Sequence, residues 1–520
     1  MVLISRRFFL GAATPWALAI GASARANSAA PRFGAARKFT FDRLRQRAKA
    51  LAARPYAAAP VPAQEIVGRI DFDLLRKIRF RPDRALWHDG SGRFPVRLFH
   101  LDKFHARPVR INVVSDGVAR RVAYSPQDFD YGDSGLADKL PAGLGFSGFR
   151  VMDGRSGNTD WLAFQGSSYF RSAGEAGEYG ASARGIAVNT ALTTKEEFPR
   201  FTEFWLAQPE SGRAVMTVFA LLDGPSVTGA YRLSASKEHG AVIDVDGELF
   251  IRADIARLGI APLTSMYWYG ENDRQNATDW RPEIHDSDGL ALWTGNNERI
   301  WRPLINPPSV GANSFLDVNP KGFGLMQRDR DFVSYQDEQA RYHRRPSVWV
   351  EPRGDWGEGA VQLIEIPARE ENRDNIVAYW QPKRSVKAGD QLAIAYRLHW
   401  RNDAPYPPRN VGRVVATRTG AARVSELSPA EIRGTRTFAV DFAGGPLAAL
   451  SPREAVTAEV SASRGAVGTA DVTKVLETGR WRTLFALRAD GKDPVNLRCY
   501  LRLADRTLTE TWLYQYIPEA

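Results

Sequence analysis

AVMTVFALLDG (214–224), GAYRLSAS (229–236) and AVIDVDGELFIRADI (241–255) follow one another with only PSVT and KEHG between them. Each run is short, rich in β-branched and aromatic residues, and broken by Gly, Pro or Asp, which is the signature of a strand closed by a turn. The same punctuation extends outward on both sides. Upstream lie RALWHDG (84–90), PVRLFHL (95–101), VRINVVSDG (109–117), RVAYSP (121–126), FRVMDG (149–154) and DWLAFQGSSYF (160–170); downstream comes MYWYGEN (266–272). Turn signals every ten or so residues, with almost no long helical pattern, predict an all-β chain built as a large antiparallel sandwich or barrel. The exception is FDRLRQRAKALAARPY (41–56), where Phe41, Leu44, Ala48 and Leu51 share one helical face until Pro55 ends it. Residues 27–36 read as a loose arm.

At 520 residues the chain exceeds what one core holds, roughly 250–300 residues. The first domain is expected to span 27–400 and to close at AIAYRLHW (393–400). A polar, proline-rich linker follows (401–409). Residues 410–520 then carry RTFAVDFAG, VTAEVSAS, TADVTKVLE, WRTLFALRA, VNLRCYLRL and TLTETWLYQY. About seven strands in that length predict an immunoglobulin-like sandwich. No repeat of 20–50 residues is visible.

MVLISRRFFLGAATPWALAIGASARA (1–26) has a charged start, a short apolar middle and the small-residue exit Ala24-Arg25-Ala26. Ser5-Arg6-Arg7-Phe8-Phe9-Leu10 fits a twin-arginine export signal, departing from the usual form at Gly11, where Lys is common. A periplasmic protein that folds before export is therefore expected. The apolar run is too short to span a bilayer, which takes about 20 residues. The net charge of +11 comes from arginines scattered among acids, which reads as solvated faces and local ion pairs. No nucleic-acid module is visible, and no nucleic-acid partner is expected. The single cysteine, Cys499, excludes an internal disulfide framework and reads as a buried strand thiol.

Several motif look-alikes lose their function in context. Gly143-Leu-Gly145-Phe-Ser-Gly148 matches a dinucleotide fingerprint but leads into a strand rather than a helix. Gly132-Asp133-Ser134-Gly135 lies in a polar turn. His100 and His105 have neither helical nor zinc-ligand spacing, so no metal site and no cofactor are expected.

Chemistry concentrates between Pro262 and Pro307: PLTSMYWYGENDR, QNATDW, RPEIHDSDGLALWTGNNERIWRPLINP. Trp268, Trp280, Trp293 and Trp301 alternate there with Glu271, Asp273, Glu283, Asp286, Asp288 and Glu298. A plain core would be aliphatic, since unpaired polar groups are costly to bury. A plain surface would not hold four tryptophans. Flat rings beside acids and amides suit a carbohydrate, whose C–H faces pack on rings and whose glycosidic bond a carboxyl pair can cleave. An all-β sandwich with Trp-rich edge strands explains the composition equally well. Asp286 and Asp288 lie two apart, on one face if the run is extended. A second acidic group, Glu370 to Asp374, precedes the strand-like DNIVAYW. Asp374 is thus a candidate at a strand end, or a turn residue capping the loop.

The chain resembles the periplasmic glucan biosynthesis proteins, the MdoG/OpgG and OpgD family. The resemblance covers nearly the whole mature chain. It is densest in GSSYFR (166–171), YGASARGIAVNT (179–190), PLTSMYWYGEN (262–272), WRPEIHDSDGL (280–290), ERIWRPL (298–304), NPKGFGLMQRDRDF (319–332), YHRRPSVWVEPRGDWGEGAVQLIEIP (342–367) and RDNIVAYW (373–380). HDSDG and the twin-arginine signal favour the D-type branch. The resemblance implies a galactose-mutarotase-like β-sandwich followed by an immunoglobulin-like one. It also implies action on osmoregulated periplasmic glucans with a β-1,2-linked glucose backbone, and similarity to inverting endo-β-1,2-glucanases. Carried over by motif, the general acid falls on Asp374 and the general base on Asp286. The family's Thr-Asn before the acid is here Asn372-Arg373, and ERIW replaces GEWIW. Arg373 would favour the charged carboxylate if it pointed inward.

Candidate glucose platforms are Trp268, Tyr269, Trp293, Trp301, Tyr379 and Trp380. Candidate hydroxyl ligands are Arg281, Glu283, His285, Asp288, Asn296 and Arg302. Period-two alternation lets only some of them face one cleft. Expected partners are a linear β-1,2-glucan or the periplasmic glucan backbone, a membrane glucan synthase, and a second copy of the chain. Alongside hydrolysis stand a non-catalytic glucan-binding or assembly role and, third, a glucanyl transferase.

Overall fold

A computed structural model of the chain describes residues 31–90, 94–154, 159–209, 214–422 and 434–518. The expected leader, 1–26, lies outside the described residues. The protein is all-β, with mainly antiparallel sheets in both of its compact units. One unit takes the chain up to Pro262 and then Tyr379–Trp400; the other takes Leu263–Ala378 and the chain from Arg401 onward.

In the first unit the runs at 214–255 form a meander. Val215–Asp223 pairs with Val227–Ser236, which pairs with Ala241–Ile251, and Gln391–Arg401 closes on the last of these. Arg200–Ala207 extends the sheet on its other side. A second sheet runs through Val96–Phe99, Gly148–Met152, Asp160–Gln165, Tyr169–Ser172 and Ser182–Arg184. The two sheets face each other through aromatic rings. Phe149 meets Phe204 edge-on at 5.2 Å, and Phe170 meets Trp400 at 6.2 Å. Such pairs add about 0.5–1.5 kcal/mol each beyond the area they bury.

The predicted helix forms over Phe41–Ala52. Thr40 caps it by accepting the Arg43 N–H at 3.2 Å, and Leu44 and Ala48 bury against Trp205 and Phe250. Two expectations are corrected in this unit. The arm is not loose throughout, because Phe33–Lys38 is a strand paired with Val118–Val122. RALWHDG is not a strand; Trp87 adopts φ 57° and Gly90 φ 84°, so the run turns. The glycine look-alike does lead into a strand, Gly148–Met152.

In the second unit the hairpin Gly289–Trp293 with Arg299–Pro303 is flanked by Gly322–Met326 and Ser347–Pro352. On its other side Arg299–Pro303 pairs in parallel with Thr511–Tyr516 (Ile300↔Thr511), which continues into Val495–Leu503 and Val456–Ala462. A separate sheet holds Arg413–Ala421, Thr435–Ala443 and Arg480–Arg488. One core joins them: Trp301, Met326 and Trp349 pack with Phe438, Trp481, Phe485, Cys499 and Trp512. Gly289 permits the close approach, since a Cβ there would lie 2.3 Å from the Trp301 ring. Cys499 is a buried strand thiol as expected, and burial pushes its pKa up to about 12. No helix among the described residues is long and apolar enough to cross a membrane.

Candidate functional site

The stretch 262–307 does not line a single cleft. Tyr267–Tyr269 pairs with Ile284–His285, and the chain then enters the hairpin at 289–303. The two expected acids meet on either side of the segment Thr264–Tyr267. The Thr264 hydroxyl donates to Asp374 Oδ2 at 3.2 Å, and the Asp286 N–H donates to the Met266 carbonyl at 2.8 Å. Thus a sequence separation of 88 residues closes to a neighbourhood of four.

Asn375 fixes that closure. Its Oδ1 accepts the Tyr267 N–H at 2.8 Å, while its Nδ2 donates to the carbonyls of Tyr267 (2.8 Å) and Ile366 (2.9 Å). Its own N–H donates to the Ser265 carbonyl at 3.0 Å. Asp374, the preceding residue, is half-buried at the mouth of strand Ile376–Pro382. Arg373 does not point inward; it is exposed and pairs with Glu370 at 3.2 Å.

Asp286 is fully buried, and Arg345 Nη1 donates to its Oδ1. Arg345 is itself held by the Ala340 carbonyl at 2.9 Å and lies 4.3 Å over the Tyr342 ring. The segment 327–345 ties several expected site residues together. Gln327 meets His285, Asp337 accepts from Arg281 at 2.6 Å, and Tyr342 donates to Glu371 at 2.5 Å. Arg345, Tyr342, Gln327, Asp337 and Asn375 were not candidates from the sequence. Their only local signals are the motif-dense runs YHRRPSVWV for Arg345 and Tyr342, RDNIVAYW for Asn375 and NPKGFGLMQRDRDF for Gln327; Asp337 lies in none of them.

Period-two alternation puts Glu283 and His285 on the opposite face from Asp286. Glu283 Oε2 lies 2.9 Å from His285 Nε2, and Gln327 Oε1 lies 3.0 Å from His285 Nδ1. Gln327 Nε2 donates to two carbonyls, those of His285 and Tyr342, which fixes the amide with Oε1 facing the ring. Nδ1 therefore carries a proton. Glu283 and His285 share a cleft with Glu271, Asp288, Trp301 and Arg328. Asp288 takes the backbone N–H groups of Arg328 and Asp329 at 2.8–2.9 Å, so it holds a turn.

Burial opposes protonation of His285, but the hydrogen bond and charge of Glu283 outweigh it and raise the pKa. Burial also raises Glu271, to about 8, against the pull of Arg418. Both folded-state values exceed their unfolded ones, so the folded protein holds these protons more tightly. The resulting stability is complete at pH below each unfolded pKa and is lost as pH rises through the folded pKa. Denaturant unfolding should therefore show stability falling from about pH 5 to pH 9, with a smaller slope in His285→Gln and Glu271→Gln. A flat profile would contradict these assignments.

The rings divide by exposure. Trp268 and Trp293 are half-exposed, the latter with Arg299 at 3.6 Å over its face. Tyr269, Trp301, Tyr379 and Trp380 are buried, which corrects their reading as open platforms. The alternation of Ile376–Pro382 turns Tyr379 inward, and Gly259 leaves room for its ring. Among the expected hydroxyl ligands, Arg302 is buried against Glu365 at 3.0 Å. Arg281 is shared by Asp279, Asp337 and Glu371. Asn296 is exposed and caps the hairpin turn by accepting from Thr294 and Glu298. No cluster of three His, Cys, Asp or Glu suited to a metal occurs among the described residues.

An all-β protein with an acidic, aromatic-bordered loop cluster is the class the fold defines. Residues 39–516 match the family described as periplasmic glucan biosynthesis protein, MdoG, and the chain belongs to that family. It is 47% identical to glucans biosynthesis protein D 2 of Ralstonia nicotianae, over 99% of this chain and 98% of that one. It is 46% identical to glucans biosynthesis protein D of Stenotrophomonas maltophilia, covering 94% of this chain and 91% of the relative. The corresponding protein of Xanthomonas campestris pv. campestris is 44% identical, over 98% and 95%.

Proposed function

We propose that the chain is an inverting endo-β-1,2-glucanase that sets the backbone length of periplasmic glucan, exported by the twin-arginine route. The observation that carries this reading is the pair of acids in contrasting surroundings beside one segment. Asp374 is half-buried and reachable from solvent, next to a hydroxyl. Asp286 is buried beside a guanidinium, which suits a carboxylate and not a carboxylic acid. Two carboxyls held in different environments divide into acid and base. In this mechanism Asp374 donates its proton to the departing glycosidic oxygen. Asp286 receives the proton of the attacking water through a chain of waters or hydroxyls, because it has no surface of its own. Inversion then requires roughly 6.5–9.5 Å between the carboxyls, space for the intervening water.

Full burial of Asp286 favours a second reading, a glucan-binding or assembly protein in which this acid only holds the fold. One experiment separates the two. Purified mature protein and Asp374→Asn are incubated with linear β-1,2-glucan while reducing ends and product anomer are followed. We expect chain cleavage with α-anomeric product, falling about 10²–10⁴-fold in the variant. Glucan binding without cleavage by the wild type would replace the hydrolase with the assembly protein.

A further inference from the structure

The tryptophan most open to solvent in this region is one that neither acid touches. Trp280 is 71% exposed, whereas Trp301, Trp349, Trp481 and Trp512 of the same unit are buried. Tryptophan is highly buried on average, so a ring this exposed stands apart from the others of its unit.

The turn beneath Trp280 is locked from both sides. The Asp279 carboxylate accepts the Arg281 N–H at 3.1 Å and also Arg281 Nε and Nη2, at 2.9 and 3.1 Å. The Arg281 carbonyl accepts the Tyr269 hydroxyl at 3.1 Å. Pro282 follows and restricts the Arg281 backbone further. The ring is thus displayed on fixed backbone, with only its own two torsions to order, so covering it costs little conformational entropy.

The same arginine ties this turn to the loop of Asp374. Arg281 Nη1 donates to Glu371 at 2.9 Å, three residues before Asp374. The neighbouring half-exposed ring, Trp268, is tied to that loop as well: Asn306 Nδ2 donates to the carbonyls of Trp268 (2.9 Å) and Ala368 (2.7 Å). Two rings are therefore anchored, through separate side chains, to the loop that carries the candidate acid.

We propose that Trp280 is a stacking platform for one glucosyl ring of the glucan, away from the bond that is cleaved. The proposal rests on the glucan reading above. A β-glucopyranose ring presents axial C–H groups on a flat face, the surface a tryptophan accepts, and the carboxylates around Arg281 offer hydroxyl acceptors at its edge.

Binding is measured on the Asp374→Asn background with long linear β-1,2-glucan, using calorimetry. Adding Trp280→Ala should raise Kd roughly 5–30-fold, and Trp280→Phe should recover most of the affinity. In the otherwise native enzyme the loss should fall on KM, as for an interaction equal in ground and transition states. The unfolding midpoint should not move, since the ring buries little. Glucan bound equally well by Asp374→Asn with and without Trp280→Ala would sink the platform while sparing the glucan reading. Binding by neither would sink both.

Discussion

Replacing Arg345 with methionine should lower the free energy of unfolding by about 3–5 kcal/mol, the usual cost of stranding one member of a buried ion pair. Asp286 is fully buried, and its Oδ1 accepts from Arg345. Methionine keeps most of the apolar volume of the stem but leaves a carboxylate in low dielectric without its cation. The carboxylate must then take up a proton or draw water inward. The double variant, Arg345→Met with Asp286→Asn, removes both charges and should recover much of the loss, because replacing a whole buried pair is often near neutral. Urea unfolding of the single and double variants measures this coupling. A single-variant loss below about 1 kcal/mol would mean that the pair holds nothing together. On the glucanase reading both variants also lose cleavage, since each removes the base or its anchor.

Asn375→Ala should be nearly as costly and should act on the other acid. The substitution leaves the Tyr267 N–H without its acceptor and the carbonyls of Tyr267 and Ile366 without their donor. Each buried orphan costs about 1–3 kcal/mol. Asn375→Asp keeps the acceptor but sets a carboxylate oxygen against two carbonyls, so it should not rescue. Hydrogen exchange at Tyr267 reports the clamp directly, and slow exchange retained in Asn375→Ala would overturn its role. Because Asp374 immediately precedes Asn375 in the chain, on the glucanase reading cleavage should fall further than stability alone explains.

The strands were legible wherever their pairing is local. The runs at 214–255 alternate, carry their own turns and pair with one another, so sequence order and sheet order coincide. The helix at 41–52 announced itself by its apolar face and by Pro55 beyond its end. The parallel pairing of Ile300 with Thr511 left no trace, because contacts across 211 residues (511 − 300) impose no periodicity on either partner. RALWHDG misled because Trp and Leu mark strands statistically, while the backbone at Trp87 is left-handed.

The candidate acids were legible as types, and Asp286 and Asp374 as motif positions. Their supports were not. Arg345 reaches Asp286 across 59 residues, and Asn375 reaches Tyr267 across 108. An arginine that anchors a buried carboxylate and one that faces water look identical in a sequence. The same blindness made Arg302 a candidate sugar ligand, although Glu365 already occupies it. Buried rings were over-counted for a related reason: Tyr379 and Trp380 are adjacent, and both are buried.

The core in which Trp301 and Trp349 pack with Phe438, Trp481 and Trp512 carries a historical implication. Domains that fold separately can be shuffled between genes, lost from a lineage or fused to new neighbours. Strands Thr435–Ala443, Arg480–Arg488 and Thr511–Tyr516 share their interior with the 289–303 hairpin, so no cut near the proline-rich segment yields two self-sufficient pieces. Recombination there would leave a raw hydrophobic face on each fragment. The C-terminal strands are therefore bound to be inherited with the 289–303 hairpin as one genetic block, and a substitution on either side of the shared interior must be tolerated by the other.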